Sequence, residues 1–287
     1  MRIIYSLDEM TETARGWLAA GSVGFVPTMG YLHEGHLTLV QAAKKECEIS
    51  IISIFVNPLQ FASQQELTRY PHDLARDLQA LSKAQVDVVF IPRAEQMYPS
   101  TFSTYITPVG PLAEQFEAAI NPNYARGIAT SITKLFQIVR PDIAYFGQKD
   151  AQRVAIVQQL VRDLNIDVSL CVLPTIRERD RVALSSRNAA LSSVERQAAG
   201  VIYQSLLMGK AVIDEGERRS SLIEQAMRDH IATNPLVHLD YAAICDARTF
   251  VPLPEAAPGA ILLAAARIGT TRLVDNIVWM QDGQWQL

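Results

Sequence analysis

The segment Pro27-Thr28-Met29-Gly30-Tyr31-Leu32-His33-Glu34-Gly35-His36 places two imidazoles three residues apart around a glycine-bearing turn. Where such a turn opens a helix, unpaired N–H groups and the positive end of the helix dipole face outward, which suits an anionic phosphate. His33 and His36 can then lie beside the same phosphate and hydrogen-bond the charge that develops on it. An isolated H-x-x-H is as often a cap or a turn, and the Pro-Thr-Met-Gly prefix tips the balance toward a ligand site. Zinc fails on spacing. The H-E-x-x-H motif sets its histidines four apart on one helical face, whereas His33 and His36 are three apart across Gly35, with no cysteine near them. Neither G-x-x-x-x-G-K-[ST] nor G-x-G-x-x-G occurs, so a P-loop kinase and a nicotinamide dehydrogenase both lose their main support.

Three further segments carry groups of the same chemistry. In Phe146-Gly147-Gln148-Lys149-Asp150, glycine permits close backbone approach and Lys149 supplies a point charge for phosphate. Asp150 is placed to accept from ribose hydroxyls or to cap a helix. In Leu184-Ser185-Ser186-Arg187-Asn188, two hydroxyls and a forked guanidinium can engage nucleotide phosphates, the plainer alternative being a helix cap. In Asn57-Pro58-Leu59-Gln60-Phe61, Gln60 offers an uncharged amide able to orient a hydroxylated organic acid.

These segments sit at the ends of short apolar runs rich in Val, Ile and Phe. Residues 23–27, 50–56, 86–91, 143–146 and 168–173 read as buried strands. Between them, residues 36–47, 67–83, 130–140 and 154–165 repeat apolar side chains at spacings of three and four and read as helices. Strands alternating with helices predict an α/β fold, a Rossmann-like doubly wound parallel sheet over residues 1–175. In such a sheet the carboxyl ends of the strands are where ligands bind. After Pro174 a dense mixed-charge connector, 177–181, leads into two helices, 193–209 and 220–234, and three strands, 238–244, 260–268 and 271–278, the last two joined by a Gly269-Thr270 hairpin turn. Residues 176–287 therefore read as a small α+β domain with an antiparallel sheet, hinged as a lid.

Composition excludes several partners. The 287 residues carry 26 Lys plus Arg against 30 Asp plus Glu, a net charge of -4 with the signs mixed along the chain. That is not the basic stripe nucleic acid or an anionic membrane selects. Three widely spaced cysteines, Cys47, Cys171 and Cys245, form neither a disulfide framework nor a metal pair. The first residues reach Asp8 and Glu9 without the apolar core of a secretory signal, and no apolar run approaches the about 18 residues of a membrane span. A cytoplasmic enzyme is the expectation.

Taken together, residues 26–36, 54–61, Arg69-Tyr70-Pro71, 141–150, 183–188 and Val274-Asp275-Asn276 resemble the pantoate-β-alanine ligase (pantothenate synthetase) family, over essentially the whole chain. More remotely, the paired histidines resemble the H-x-G-H nucleotidyltransferases. The resemblance implies a two-step reaction of ATP, carried with Mg2+, in a homodimeric enzyme. Pantoate is adenylated with release of diphosphate, and β-alanine then displaces AMP. It implies that His36 is a proton donor and that His33 and Lys149 stabilise the α-phosphoryl transition state. It implies an ATP site of Met29, Gly30, Tyr31, Leu32, His33, Glu34, Gly35, His36, Gly147, Gln148, Lys149, Asp150, Ile176, Leu184, Ser185, Ser186 and Arg187, with Gln60 on pantoate and β-alanine and no protein metal ligand.

The chain departs from that pattern at four places. Arg153 stands where the family has a second glutamine for pantoate, Gln148 where it has glutamate, Arg181 where it has glycine, and Tyr124-Ala125-Arg126-Gly127 where it has His-Phe-Arg-Gly. A cationic Arg153 would pair with the acid's carboxylate or favour a more acidic substrate. Two other readings compete with the ligase. A nucleotidyltransferase would keep the nucleotide in its product, and a diverged paralogue would bind nucleotide without chemistry.

Overall fold

The computed structural model describes residues 1–17, 21–61 and 63–287. The chain forms two compact units, one of Met1–Gly147 with Ile156–Leu173 and one of Gln148–Ala155 with Pro174–Leu287.

The first unit is built on a parallel sheet of six strands, β1 (Arg2–Ile4), β2 (Val23–Thr28), β3 (Ile49–Ile54), β4 (Val88–Phe90), β5 (Ile143–Gly147) and β6 (Ser169–Leu173), in the order β1-β4-β3-β2-β5-β6. Every residue of β2 is buried, and β3 is buried from its second residue on. That is why both are rich in Val, Ile and Phe without strict alternation, the serines of β3, Ser50 and Ser53, being buried as well. β6 differs from the buried strand expected there: it lies at the sheet edge and is only partly covered. The order reverses between β2 and β5, with β3 and β4 on one side and β6 on the other. This switch point makes the carboxyl ends of β2 and β5, Thr28 and Gly147, the ends from which ligand-binding loops depart.

Local chemistry explains where the helices depart from their expected bounds. The single helix expected over residues 67–83 is two, Gln64–Arg69 and Leu74–Lys83. Pro71 disfavours helical geometry at Tyr70, which takes φ -61° and ψ 126°, and Asp73 restarts the helix by accepting from the Arg76 N–H. The helix expected at 130–140 begins earlier, at Tyr124, and runs to Val139. The helix after β5 runs Ala151–Asp163. The strand Arg2–Ile4 and the helix Leu7–Trp17 were not anticipated, the first because three residues carry too little pattern to identify a strand.

The second unit holds an antiparallel sheet of β7 (Val237–Asp246), β8 (Ala260–Ile268), β9 (Thr271–Trp279) and β10 (Trp285–Gln286), ordered β10-β9-β8-β7. β8 and β9 pair from Ile268 with Thr271 onward, across the two-residue Gly269-Thr270 loop. The helices Gly200–Asp214 and Ser220–Ala232 supply Leu206, Ile223 and Met227 to a core shared with Ile244, Leu262 and Ile277, all essentially inaccessible. Burial of that apolar area is the main stabilising term for the unit. The helix expected over 193–209 is interrupted at Ala199 and resumes to Asp214. Residues 148–155 group with this unit, not with the parallel sheet, because the Asn276 side chain on β9 bonds the backbone of Gln148 and Lys149.

Candidate active site

In the first unit, the turn after β2 is held in a conformation that ordinary residues avoid. Gly30 has φ +80° and Tyr31 φ +51°, both left-handed. A Cβ at Gly30 would also stand 3.0 Å from Ile54 Cγ2 and 3.1 Å from Asp77 Oδ2. The turn is fixed from beneath. Thr28 Oγ1 donates to Ser53 O at 2.7 Å and accepts the Gly30 N–H at 3.3 Å. Asp77, 1% exposed, accepts the Tyr31 and Leu32 N–H groups on its two oxygens at 2.8 and 2.7 Å. The Arg76 guanidinium lies 4.9 Å from the centre of the Tyr31 ring.

That turn delivers the chain to His33, the N-cap of the helix Glu34–Glu46. The imidazoles of His33 and His36 lie 4.0 Å apart between centroids, tilted by 35°. The backbone N–H of His33 donates to His36 Nδ1 at 3.3 Å. Because Nδ1 accepts, a neutral His36 carries its proton on Nε2, which is left as the donor. Met29 and His33 are half-buried, Glu34 is exposed, and Gly35 occupies the first helical turn.

Gln60 ends a 3₁₀ turn, Pro58–Gln60. Asn57, 1% exposed, caps it by accepting the Leu59 N–H at 3.1 Å, donates to Gly127 O at 2.9 Å and accepts from the Tyr98 hydroxyl at 3.2 Å. Gly127 is required by close approach: a Cβ there would lie 2.9 Å from both the Cβ and the backbone oxygen of Leu59. The helix Tyr124–Val139 thus seats the Gln60 turn directly on its backbone.

In the second unit, Gln148–Asp150 forms a 3₁₀ turn leading into the helix Ala151–Asp163. Lys149, 18% exposed, lies 3.2 Å from the Asp150 carboxylate. Desolvation pushes the Asp150 carboxyl up, but the charges of Lys149 and Arg153, the Lys149 hydrogen bond and the charge of Arg187 outweigh it and bring it down to about 2. Three cations from two segments therefore act on one carboxylate.

The connector forms a tight return. Leu184 N–H donates to Ile176 O at 2.9 Å, and Arg177 bridges Ala183. Ser185 caps the 3₁₀ turn Ser186–Ala190, its Oγ accepting the Arg187 N–H at 3.2 Å. The cap leaves the Ser185 hydroxyl proton available to donate to another group. Asn188 ties the turn down, donating to Glu178 Oε1 and to Ala183 O at 3.2 and 3.0 Å.

The first unit therefore holds Met29 to His36, Gln60 and Gly147, and the second gathers Gln148 to Asp150, Arg153, Ile176 and Leu184 to Arg187. Sequence reasoning did not identify Asp77, Gly127 or Asn276 as functional. Asp77 lies in the first turn of the helix Leu74–Lys83, in a segment whose pattern speaks only of amphipathicity. Only the fold reveals that it is 1% exposed, and an Asp is almost never so fully buried unless paired.

A family model for pantoate-beta-alanine ligase matches residues 2–278. The pantothenate synthetase of Thermosipho africanus is 45% identical over 279 residues, 97% of this chain and 100% of that protein. That of Heliobacterium modesticaldum is also 45% identical, over 97% of this chain and 99% of its own length. Among solved structures, pantothenate synthetase from Thermus thermophilus superposes with a TM-score of 0.91 at 41% identity, covering 98% of this chain and all of that one. The pantoate-beta-alanine ligase of Francisella tularensis, complexed with beta-gamma ATP and beta-alanine, gives 0.79 at 30% identity over 97% of both chains.

Proposed function

The chain belongs to the pantoate-β-alanine ligase family, and from that premise we propose that it condenses (R)-pantoate with β-alanine to pantothenate through a pantoyl adenylate. In the first step a pantoate carboxylate oxygen attacks the α-phosphorus of ATP and diphosphate leaves. In the second the amine of β-alanine attacks the acyl carbon, the amide forms and AMP departs with that oxygen. The observation that carries this reading is the strained turn, held by Asp77, that sets His33 and His36 4.0 Å apart at a helix N-terminus.

Each residue is assigned by what it can donate. His36, with Nε2 protonated, donates toward the phosphoryl oxygens, and His33 and Lys149 offset the charge that builds on the α-phosphate. Residues Met29 to His36 and Gly147 to Asp150, with Ile176 and Leu184 to Arg187, are assigned to ATP. Gln60 and Arg153 are assigned to pantoate, and Gln60 in turn to β-alanine. On this reading Arg153→Gln raises the pantoate KM about tenfold, the loss of one charge-assisted contact. Among the described residues no group of three His, Cys, Asp or Glu side chains could hold a metal ion. The magnesium that the family resemblance implies is assigned to the ATP phosphates. No helix among the described residues is long and apolar enough to cross a membrane. A cytoplasmic homodimer completes the proposal.

The test is isotopic. Pantoate labelled with ¹⁸O in its carboxylate must yield AMP carrying one ¹⁸O on phosphorus. Unlabelled AMP, or nucleotide retained in the product as a nucleotidyltransferase would leave it, contradicts the reading.

A further inference from the structure

The buried run of β9, residues 275–278, begins with two polar residues that no phosphate chemistry requires. Asp275 is 5% exposed and Asn276 2%. Polar groups this deep are costly unless their hydrogen bonds are made, and both are fully engaged. The Asn276 amide donates to two successive backbone carbonyls, Gln148 O at 3.1 Å and Lys149 O at 3.0 Å, and its oxygen accepts from Gln148 Nε2 at 3.2 Å. Asp275 takes a bidentate pair from Arg177, at 2.6 and 3.0 Å, and its Oδ1 also accepts the Asn276 N–H at 2.8 Å. Arg177 reaches on to Asn276 O at 3.3 Å and stacks 3.8 Å over the Tyr203 ring.

The consequence is geometric. Asn276 grips the carbonyls that flank Lys149, and Asp275 grips the first residue of the return that delivers Ser185 to Arg187. One dipeptide on a sheet strand therefore fixes both segments that place cations around Asp150. A strand is a stiffer support than either loop.

We propose that Asn276 is a positioning residue for Lys149, with Asp275 and Arg177 as its anchor, so that the ammonium is presented to the α-phosphate by β9 and not by its own 3₁₀ turn. The inference rests on the role assigned to Lys149 above.

The experiment is a double-mutant cycle on the full-length enzyme, read as AMP release. Asn276→Asp keeps the shape but removes both donors. Its kcat falls about tenfold to hundredfold, the scale of a displaced catalytic group, while the β-alanine KM stays within about twofold. In the Lys149→Ala background the same substitution causes no further loss, because Asn276 acts through Lys149. Full activity in Asn276→Asp, or an additive loss in the double mutant, overturns the inference. Full activity in Lys149→Ala alone overturns instead the role assigned to Lys149. Should Asn276→Asp lose its thermal unfolding transition, Asn276→Ser replaces it in the same cycle. Failure of both to fold overturns the proposal by making Asn276 a stability residue only.

Discussion

The carboxylate of Asp77 accepts the backbone N–H of Tyr31 at 2.8 Å across 46 residues of chain, and Tyr31 is a non-glycine residue held at φ +51°. Left-handed geometry at such a residue costs about 1–3 kcal/mol and persists only where its surroundings over-determine it. Here the over-determining group is a buried anion with both oxygens engaged, the second by Leu32 N–H at 2.7 Å. Asp77→Asn turns one acceptor into a donor facing an N–H. It is expected to lower stability by about 1–3 kcal/mol and to reduce AMP release, read from the urea midpoint and from steady-state assays. A variant with the wild-type midpoint contradicts this account of the turn.

The His33 N–H fixes which nitrogen of His36 is protonated. Nitrogen NMR on labelled histidine should find the neutral ring protonated at Nε2. His36→Ala should lower kcat about 10²–10³-fold, the usual loss when one donor to a transition-state oxyanion is removed. His36→Gln, which keeps a neutral N–H donor near the tip, should lose less. A ring protonated at Nδ1, or equal losses in the two variants, argues against donation from Nε2.

Gly127 is a close-approach position, not a flexible one. In Gly127→Ala the new methyl meets Leu59 backbone and side chain at 2.9 Å, so the Pro58–Gln60 turn has to shift. Overpacking of this kind costs about 1–3 kcal/mol. The expected signature is a rise in the pantoate and β-alanine KM values with little change in the ATP KM, since only Gln60 moves. An unchanged acid KM would separate Gln60 from acid binding.

The elements that sequence made legible are those whose pattern is local. β2 and β3 are rich in Val, Ile and Phe because both faces are covered, and the β8 and β9 hairpin is announced by Gly269-Thr270. The His33 to His36 turn and the Lys149 and Ser185 segments stand out in the sequence because each holds its polar groups together in the chain: histidine beside glycine, lysine beside aspartate, serine beside arginine. What was not legible is the support beneath them. Asp77 lies 46 residues from the turn it holds and Asn276 127 residues from Lys149. A single Asp or Asn in an amphipathic or apolar run has no spacing signal, and its role exists only once the fold brings it to its partners. The break at Tyr70-Pro71 is a different case, since the proline is local in the chain and overrides the helical periodicity that runs across it.

The Asp150 carboxyl, brought to about 2 from its ordinary 3.8 by Lys149, Arg153 and Arg187, fixes the sign of an acid effect. A carboxyl whose folded value is depressed contributes stability fully present above its unfolded value, here near 3.8, and lost as pH falls toward 2. Carboxyl-carbon NMR titration should place Asp150 low in the wild type, and Lys149→Ala or Arg153→Gln should each move its midpoint upward. A midpoint unmoved by either substitution would show that the cations do not act on it.

The central claim is that this chain activates a carboxylic acid by adenylation and uses Lys149 to do so. AMP release from ATP and magnesium, measured with pantoate alone, β-alanine alone and both together, in wild type and in Lys149→Ala, tests it directly. The account predicts sustained AMP release only with both acids and its collapse in the variant. Release that ignores pantoate, or a Lys149→Ala enzyme as fast as wild type, would contradict it.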